Sequence, residues 1–169
     1  MPNALSSEFE YELNGVGILS VIGAAGGAEL LGATVYELAP GARWADLHVH
    51  YANEEALVVL AGTPTLYTLE GSRELPVGEV VTFPRGRRGA HRIENHGSEP
   101  ARVLIVSTMN MPELVEYPER GTVFVMTEPP FGPGRHDPDE HGRVLRVFER
   151  GAGRAVPPDV GPDAPNEER

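Results

Sequence analysis

The sequence predicts an all-β fold, a sandwich or barrel of antiparallel sheets, and three observations carry that prediction. Short apolar or alternating stretches recur roughly every eight to twelve residues between Leu13 and Thr127. Turn-forming Gly, Pro and Asn residues separate them. No stretch sustains the 3.6-residue apolar period of a core helix.

The expected strands follow in chain order: Leu30 to Leu38, Leu47 to Tyr51, Ala56 to Leu60, Thr65 to Leu69, Glu79 to Phe83, Ala90 to Glu94, Arg102 to Thr108 and Thr122 to Met126. The separators are Pro40-Gly41, Gly62-Thr63-Pro64, Glu70-Gly71-Ser72, Pro76-Val77-Gly78, Pro84 to Gly89 and Asn95 to Pro100. Each supplies the fixed φ of proline or the positive φ open to glycine that a chain reversal needs. Pro112 to Tyr117 is the one segment with room for a helical turn or two. From Glu128 the composition changes, with 14 of 42 residues Pro or Gly and periodic apolar character only at Val144 to Phe148. Such a segment buries too little surface to offset chain entropy. The expected division is therefore a barrel domain over 1–127, with an N-terminal strand segment, and a tail over 128–169, partly docked or flexible, with one strand or docking segment.

Composition narrows the chemistry. The 169 residues include 25 acidic and 14 basic side chains, giving a formal charge of −11, and every basic residue is arginine. Without lysine or cysteine there is no Schiff base, P-loop lysine, thiolate nucleophile, disulfide or Cys-ligated zinc. Histidine, carboxylate, hydroxyl and arginine remain. The acidic balance argues against nucleic-acid binding, which rests on neutralising phosphates. No apolar run reaches the roughly 20 residues that span a bilayer, and Met1 to Glu12 lacks the features of a secretory signal, so no membrane partner and a cytoplasmic location are expected.

Two histidines form His48-Val49-His50. On a strand, residues two apart share a face, so both imidazoles project together at a separation suited to one metal ion. A carboxylate follows at Glu54 or Glu55, then Ala56 to Leu60, then Gly62. Alternation does not choose between the two glutamates, because both faces of the next stretch are apolar. Further on, Gly78 leads to Phe83-Pro84-Arg85-Gly86, then His91 and Asn95.

In order and spacing, Gly41, His48, His50, Glu55 and Gly62 resemble the first motif of the cupins, and Gly78, Pro84, Gly86, His91 and Asn95 resemble the second. The two motifs cover about 55 residues. The resemblance implies a double-stranded β-helix, or jelly-roll, barrel that holds one metal ion through His48, His50, Glu55 and His91. Glu55 rather than Glu54 fits the six-residue interval to Gly62 and the four-residue gap after the second histidine. Two intervals depart from the family pattern: Gly41 to His48 is one residue longer, and Gly86 to His91 two longer. Both are expected to lengthen loops ahead of ligands.

Three neutral imidazoles and one carboxylate suit Fe, Mn, Ni, Cu, Co or Zn better than calcium or magnesium, which prefer oxygen ligands. Arg85, Arg87, Arg88 and Arg92 concentrate positive charge just before and beyond His91, where Arg87 and Arg88 are candidates for recruiting an anionic substrate, although a solvated loop paired with nearby carboxylates explains them as well. Asn95 reads as a strand-end residue making a turn bond, or as a partner of the site. His96 has the wrong strand parity for a ligand, and His136 and His141 fall in the acidic tail. Trp44 reads as a core or loop anchor, and Tyr51, Tyr67, Phe83 and Met109 as residues able to line a barrel.

The expected function is metal-dependent binding of a small, anionic, oxygen-bearing molecule, with dioxygenase-like or isomerase-like chemistry left open. A non-catalytic metal-containing binding or sensory module is the alternative. An isomerase needs a general base beyond the ligands, for which Glu54 and Tyr67 are the available residues. A homodimer is expected, because exposed sheet edges call for cover and the N-terminal strand segment is free to pair across it.

Overall fold

A computed structural model of the protein describes residues 3–9, 11–22, 27–127, 144–149 and 155–156. Its strands are β1 (Tyr11–Leu13), β2 (Val16–Ile22), β3 (Leu31–Leu38), β4 (Arg43–His50), β5 (Glu55–Ala61), β6 (Thr65–Thr68), β7 (Gly71–Glu74), β8 (Val80–Phe83), β9 (His91–Glu94), β10 (Ala101–Thr108), β11 (Glu113–Tyr117), β12 (Thr122–Met126), β13 (Val144–Glu149) and β14 (Ala155–Val156). They form a six-stranded sheet in the order β1-β2-β3-β10-β5-β8 and an eight-stranded sheet in the order β14-β13-β12-β11-β4-β9-β6-β7. The fold is all-β, an antiparallel jelly-roll barrel. Among the described residues, helical structure is confined to a 3-10 turn at Arg87–Gly89, and no helix is long and apolar enough to cross a membrane.

The core explains why the strands face as they do. Val16, Ile18, Leu38, Leu57, Val59 and Val103 come from the six-stranded sheet, and Leu66 and Ile93 from the eight-stranded one; all belong to one buried cluster. Period-two alternation delivers them: on β5, Leu57 and Val59 are buried while Ala56, Val58 and Leu60 are less so. Burying a Leu or Val side chain contributes on the order of 2 kcal/mol, so this face fixes the register of each strand. A one-residue slip would turn it outward.

The structure differs from sequence expectation in several places. Pro112 to Tyr117 is not helical: Glu113–Tyr117 is β11, paired along its length with β12 and at Val115 and Glu116 with β4. Glu and Leu favour helices, but Val115 and Tyr117 share an inward face and pack on Phe124, and that tertiary packing decides. The Gly71-Ser72 separator is itself the start of β7, an exposed strand hairpinned to β6. The N-terminal strand segment pairs within its own chain, β2 against β3. Val144–Glu149 forms β13 alongside β12; the chain joining them lies outside the described residues.

Candidate metal centre

The centre is assembled from both sheets. On β4, His48 and His50 project from one face, their ring centroids 5.0 Å apart. Strand β9 runs antiparallel beside β4 and sets His91 directly opposite His48, with the two rings 4.4 Å apart. This register depends on a bulge, since β4 carries four residue steps from Trp44 to His48 against two on β9 from Ile93 to His91. Ala45 occupies the left-handed region within it, at φ 53°. The long Gly41 to His48 interval is thus accommodated inside a strand, not in a loop as expected. The long Gly86 to His91 interval contains the 3-10 turn, which begins after Gly86 at φ 78°.

Glu55 opens β5, in the opposite sheet, on the inward face it shares with Leu57 and Val59. One donor atom from each of His48, His50 and Glu55 lies within 4.8 Å of the others. Glu55 Oε2 is 3.6 Å from His50 Nε2 and 3.2 Å from His91 Nε2. Donors bound to one ion at about 2.1 Å sit about 3 Å apart at right angles and about 4 Å apart when opposite, so these spacings suit a shared ion. Glu54 is exposed and its backbone N–H donates to Thr108 Oγ1. The structure therefore separates the two glutamates that sequence spacing alone had to choose between.

Hydrogen bonds fix which nitrogen each imidazole presents. His48 Nδ1 lies 2.8 Å from the Asp46 carbonyl and His91 Nδ1 lies 2.9 Å from the Gly89 carbonyl. A carbonyl only accepts, so both Nδ1 atoms carry the proton and both Nε2 atoms keep a free lone pair. Phe83 stacks on His91 at 3.9 Å and sets its ring plane. Nδ1 of His50 is buried and reaches no hydrogen-bond partner among the described residues; Glu113 Oε2 stands 3.6 Å from it.

The electrostatics suit a cation. Burial, then neighbouring His91 and His50, hold His48 well below its ordinary pKa, so its ring is neutral. Burial works against protonated His50 too, but Glu55 and Glu113 outweigh it and the net shift is upward. For Glu55 burial opposes ionisation, yet His50 and His91 hold its carboxyl well below the usual range. Glu113 is lowered as well, against its burial, by His50, the Ala52 N–H and Asn53. Burial and the Glu55 charge push the Tyr36 phenol up, so it remains protonated. A carboxylate beside imidazole nitrogens is the donor set a divalent transition metal requires, and binding the ion displaces any proton from the nitrogens that hold it.

Sequence reasoning missed a second layer of carboxylates on β11. Glu113 is 1% exposed, and its Oε1 accepts from the N–H groups of Tyr51, Ala52 and Leu114. Glu116, also buried, accepts from the Tyr51 hydroxyl at 2.6 Å and from Arg87 at 3.0 Å. In register Glu116 lies beside Val49, on the sheet face opposite His50. Arg87 is thus engaged with a carboxylate on that outer face, and Arg88 is exposed in the same turn.

The remaining candidates serve structure. Asn95 donates to the Leu38 and Glu99 carbonyls and accepts from the Gly97 N–H, tying β9 to the end of β3. His96 lies on the surface between Tyr67 and Glu94. Tyr67 lies under the Arg92 guanidinium, and Arg92 alternates with His91, so Tyr67 faces away from the centre. Trp44 stacks on Tyr36 at 4.4 Å. Tyr51 is largely exposed, and the Met109 sulfur packs over Gly32. His136 and His141 lie outside the described residues.

Facing antiparallel sheets closed around a histidine–carboxylate centre define a jelly-roll barrel with a polar heart. Residues 34–107 match the family model of the cupin domain. Among solved structures the chain is similar to a sugar phosphate isomerase of the cupin superfamily from Silicibacter pomeroyi, at 28% identity and a TM-score of 0.62 over 67% of this chain and 71% of that one. It is also similar to a protein from Acidithiobacillus ferrooxidans, provisionally named a sugar phosphate isomerase, at 27% identity and a TM-score of 0.59 over 64% of this chain and 70% of that one. A polyketide cyclase from Streptomyces resistomycificus shares the fold at 24% identity, with a TM-score of 0.52 over 59% of this chain and 69% of that one. No curated protein matches the sequence.

Proposed function

We propose that the chain is a metal-dependent cupin whose His48, His50, Glu55 and His91 hold one divalent transition metal, at which a small anionic, oxygen-bearing molecule binds and reacts. The observation that carries this reading is the convergence of Glu55 from one sheet on imidazoles from the other, with Nδ1 of His48 and His91 committed to backbone carbonyls. When bound, the ion would supply Lewis acidity and a template for oxygen donors. The chain's own part is to present three Nε2 lone pairs and one carboxylate and to keep His91 in plane under Phe83.

Isomerase-like chemistry is the favoured branch, because the two similar structures described above at 28% and 27% identity carry a sugar phosphate isomerase name. A phosphorylated sugar also fits the anionic class expected from the arginine-rich turn. One observation favours the second reading, a non-catalytic binding or sensory module: of the two base candidates, Glu54 is exposed and Tyr67 faces outward.

The test is metal analysis of purified wild type beside His48→Ala, His91→Ala and His96→Ala. We expect about one equivalent of metal in wild type and His96→Ala, and loss of most of it in the other two. Equal metal content in all four proteins would remove the ligand assignment. Turnover of sugar phosphates by the metal-loaded protein separates isomerase from binding module, and oxygen uptake with bound iron or copper would instead mark a dioxygenase.

A further inference from the structure

The three imidazoles of the centre are not held alike. His48 and His91 each direct Nδ1 at a backbone carbonyl, an acceptor without charge. His50 directs Nδ1 at the Glu113 carboxylate, 3.6 Å away. That carboxylate is built into its place. Its Oε1 takes backbone N–H groups from Tyr51, Ala52 and Leu114 at 3.1, 3.1 and 2.8 Å. Its Oε2 takes the Asn53 amide. Asn53 is itself pinned, with Nδ2 to the Asn110 carbonyl at 3.1 Å and Oδ1 receiving the Asn110 N–H at 2.7 Å. Neutral donors satisfy the carboxylate and leave its charge uncancelled beside His50.

We infer that Glu113 is a positioning residue for His50: its buried carboxylate imposes the Nδ1–H tautomer and so turns the Nε2 lone pair toward Glu55. The inference rests on reading His50 as a metal ligand. An unprotonated Nδ1 would set a lone pair against a carboxylate, so only the Nδ1–H form is compatible with this arrangement. A carboxylate behind a metal-bound imidazole also makes that ring the more basic ligand. With Glu113 counted, a divalent ion, Glu55 and three neutral rings sum to a charge near zero instead of near +1. Tying the Tyr51 and Ala52 backbone to β11 needs only Oε1, which a glutamine would supply equally. Oε2 is the atom that serves His50, and it also takes the Asn53 amide.

The substitution that separates these roles is Glu113→Gln. It keeps the oxygen for the three backbone N–H groups and places an NH2 opposite His50 Nδ1 and the Asn53 amide, whose contact to Oε2 is lost; facing His50, the NH2 favours the Nε2–H tautomer, whose lone pair points away from the centre. Long-range 1H–15N correlation spectra of the metal-free protein, recorded at alkaline pH where the ring is neutral, report the tautomer directly. Competition with a chelator reports zinc affinity. We expect wild-type His50 to be Nδ1–H, and Glu113→Gln to shift it toward Nε2–H and lose about ten- to a hundredfold in zinc affinity, with His48 and His91 unchanged. An Nε2–H His50 in wild type overturns the inference whether or not the variant folds. Unchanged tautomer and affinity in Glu113→Gln overturn it as well. Wild type that binds no zinc overturns the metal reading instead, and the spectra still decide the role of Glu113.

Discussion

Individual side chains divide sharply into those readable from sequence and those not. His48 and His50 announce themselves by strand parity, and His91 and Glu55 by the spacing of two motifs. The choice of Glu55 over Glu54 depended on resemblance, because the chain on either face of β5 is apolar; only the packing of Leu57 and Val59 shows which face is inward. Glu113 carries no local signal at all, since it meets Tyr51 across 62 positions of sequence. Arg87 and Arg88 look equivalent as letters yet occupy different environments. Arg87 is the cation on Glu116, whose side chain is 5% exposed. We predict that Arg87→Gln lowers stability by about 1–2 kcal/mol, the cost of leaving a buried carboxylate short of one charged partner, read as a lower thermal midpoint. Arg88→Gln should leave the midpoint in place and weaken binding of a phosphorylated ligand. Intact ligand affinity in Arg88→Gln would remove it from substrate recruitment, and an unmoved midpoint in Arg87→Gln would count against the structural role given to it. Metal content should be unchanged in both.

Strand positions were legible at most of the stretches that glycine and proline punctuate; they failed at β7, which begins on a glycine read as a separator, and where local composition and tertiary packing disagree, as in β11. The motif glycines show the physical basis of that punctuation. Gly41 and Gly62 both adopt positive φ, 79° and 73°, which costs an L-residue roughly 1–2 kcal/mol. They differ in surroundings: a Cβ at Gly41 meets nothing within 4 Å, whereas one at Gly62 would sit 2.8 Å from Ala101 Cα and 2.9 Å from the Pro100 carbonyl oxygen. That backbone is the first residue of β10 and the proline before it, and β10 is held in place by pairing with both β3 and β5. Gly62→Ala should therefore destabilise the protein clearly more than Gly41→Ala, with a difference of at least about 1 kcal/mol in denaturant unfolding. Equal costs would show that only the dihedral matters. The β4 bulge belongs to this scale too: an extra residue before a ligand reads as loop in sequence, but the strand absorbs it while His48 stays opposite His91.

At the scale of the molecule, the two sheets pack through an apolar cluster and also meet at one polar point, where Glu55 of one faces His48, His50 and His91 of the other. An ion bound there is a crosslink between sheets, present only in the folded state. At a free metal concentration one hundred times its dissociation constant it would add about 2.7 kcal/mol, which for a chain of this size is a rise of roughly 5–10 °C in thermal midpoint. A chelator should reverse the rise, and His91→Ala should not show it. The jelly roll itself was readable from strand rhythm and motif spacing, whereas the pairing of β13 with β12 and of β2 with β3 depends on contacts that no periodicity encodes. The most direct test of the account is anomalous diffraction from crystals of the metal-loaded protein. The account predicts a single peak between the sheets, about 2.1 Å from Nε2 of His48, His50 and His91 and from a Glu55 oxygen. A peak elsewhere, or none in protein carrying stoichiometric metal, would contradict it.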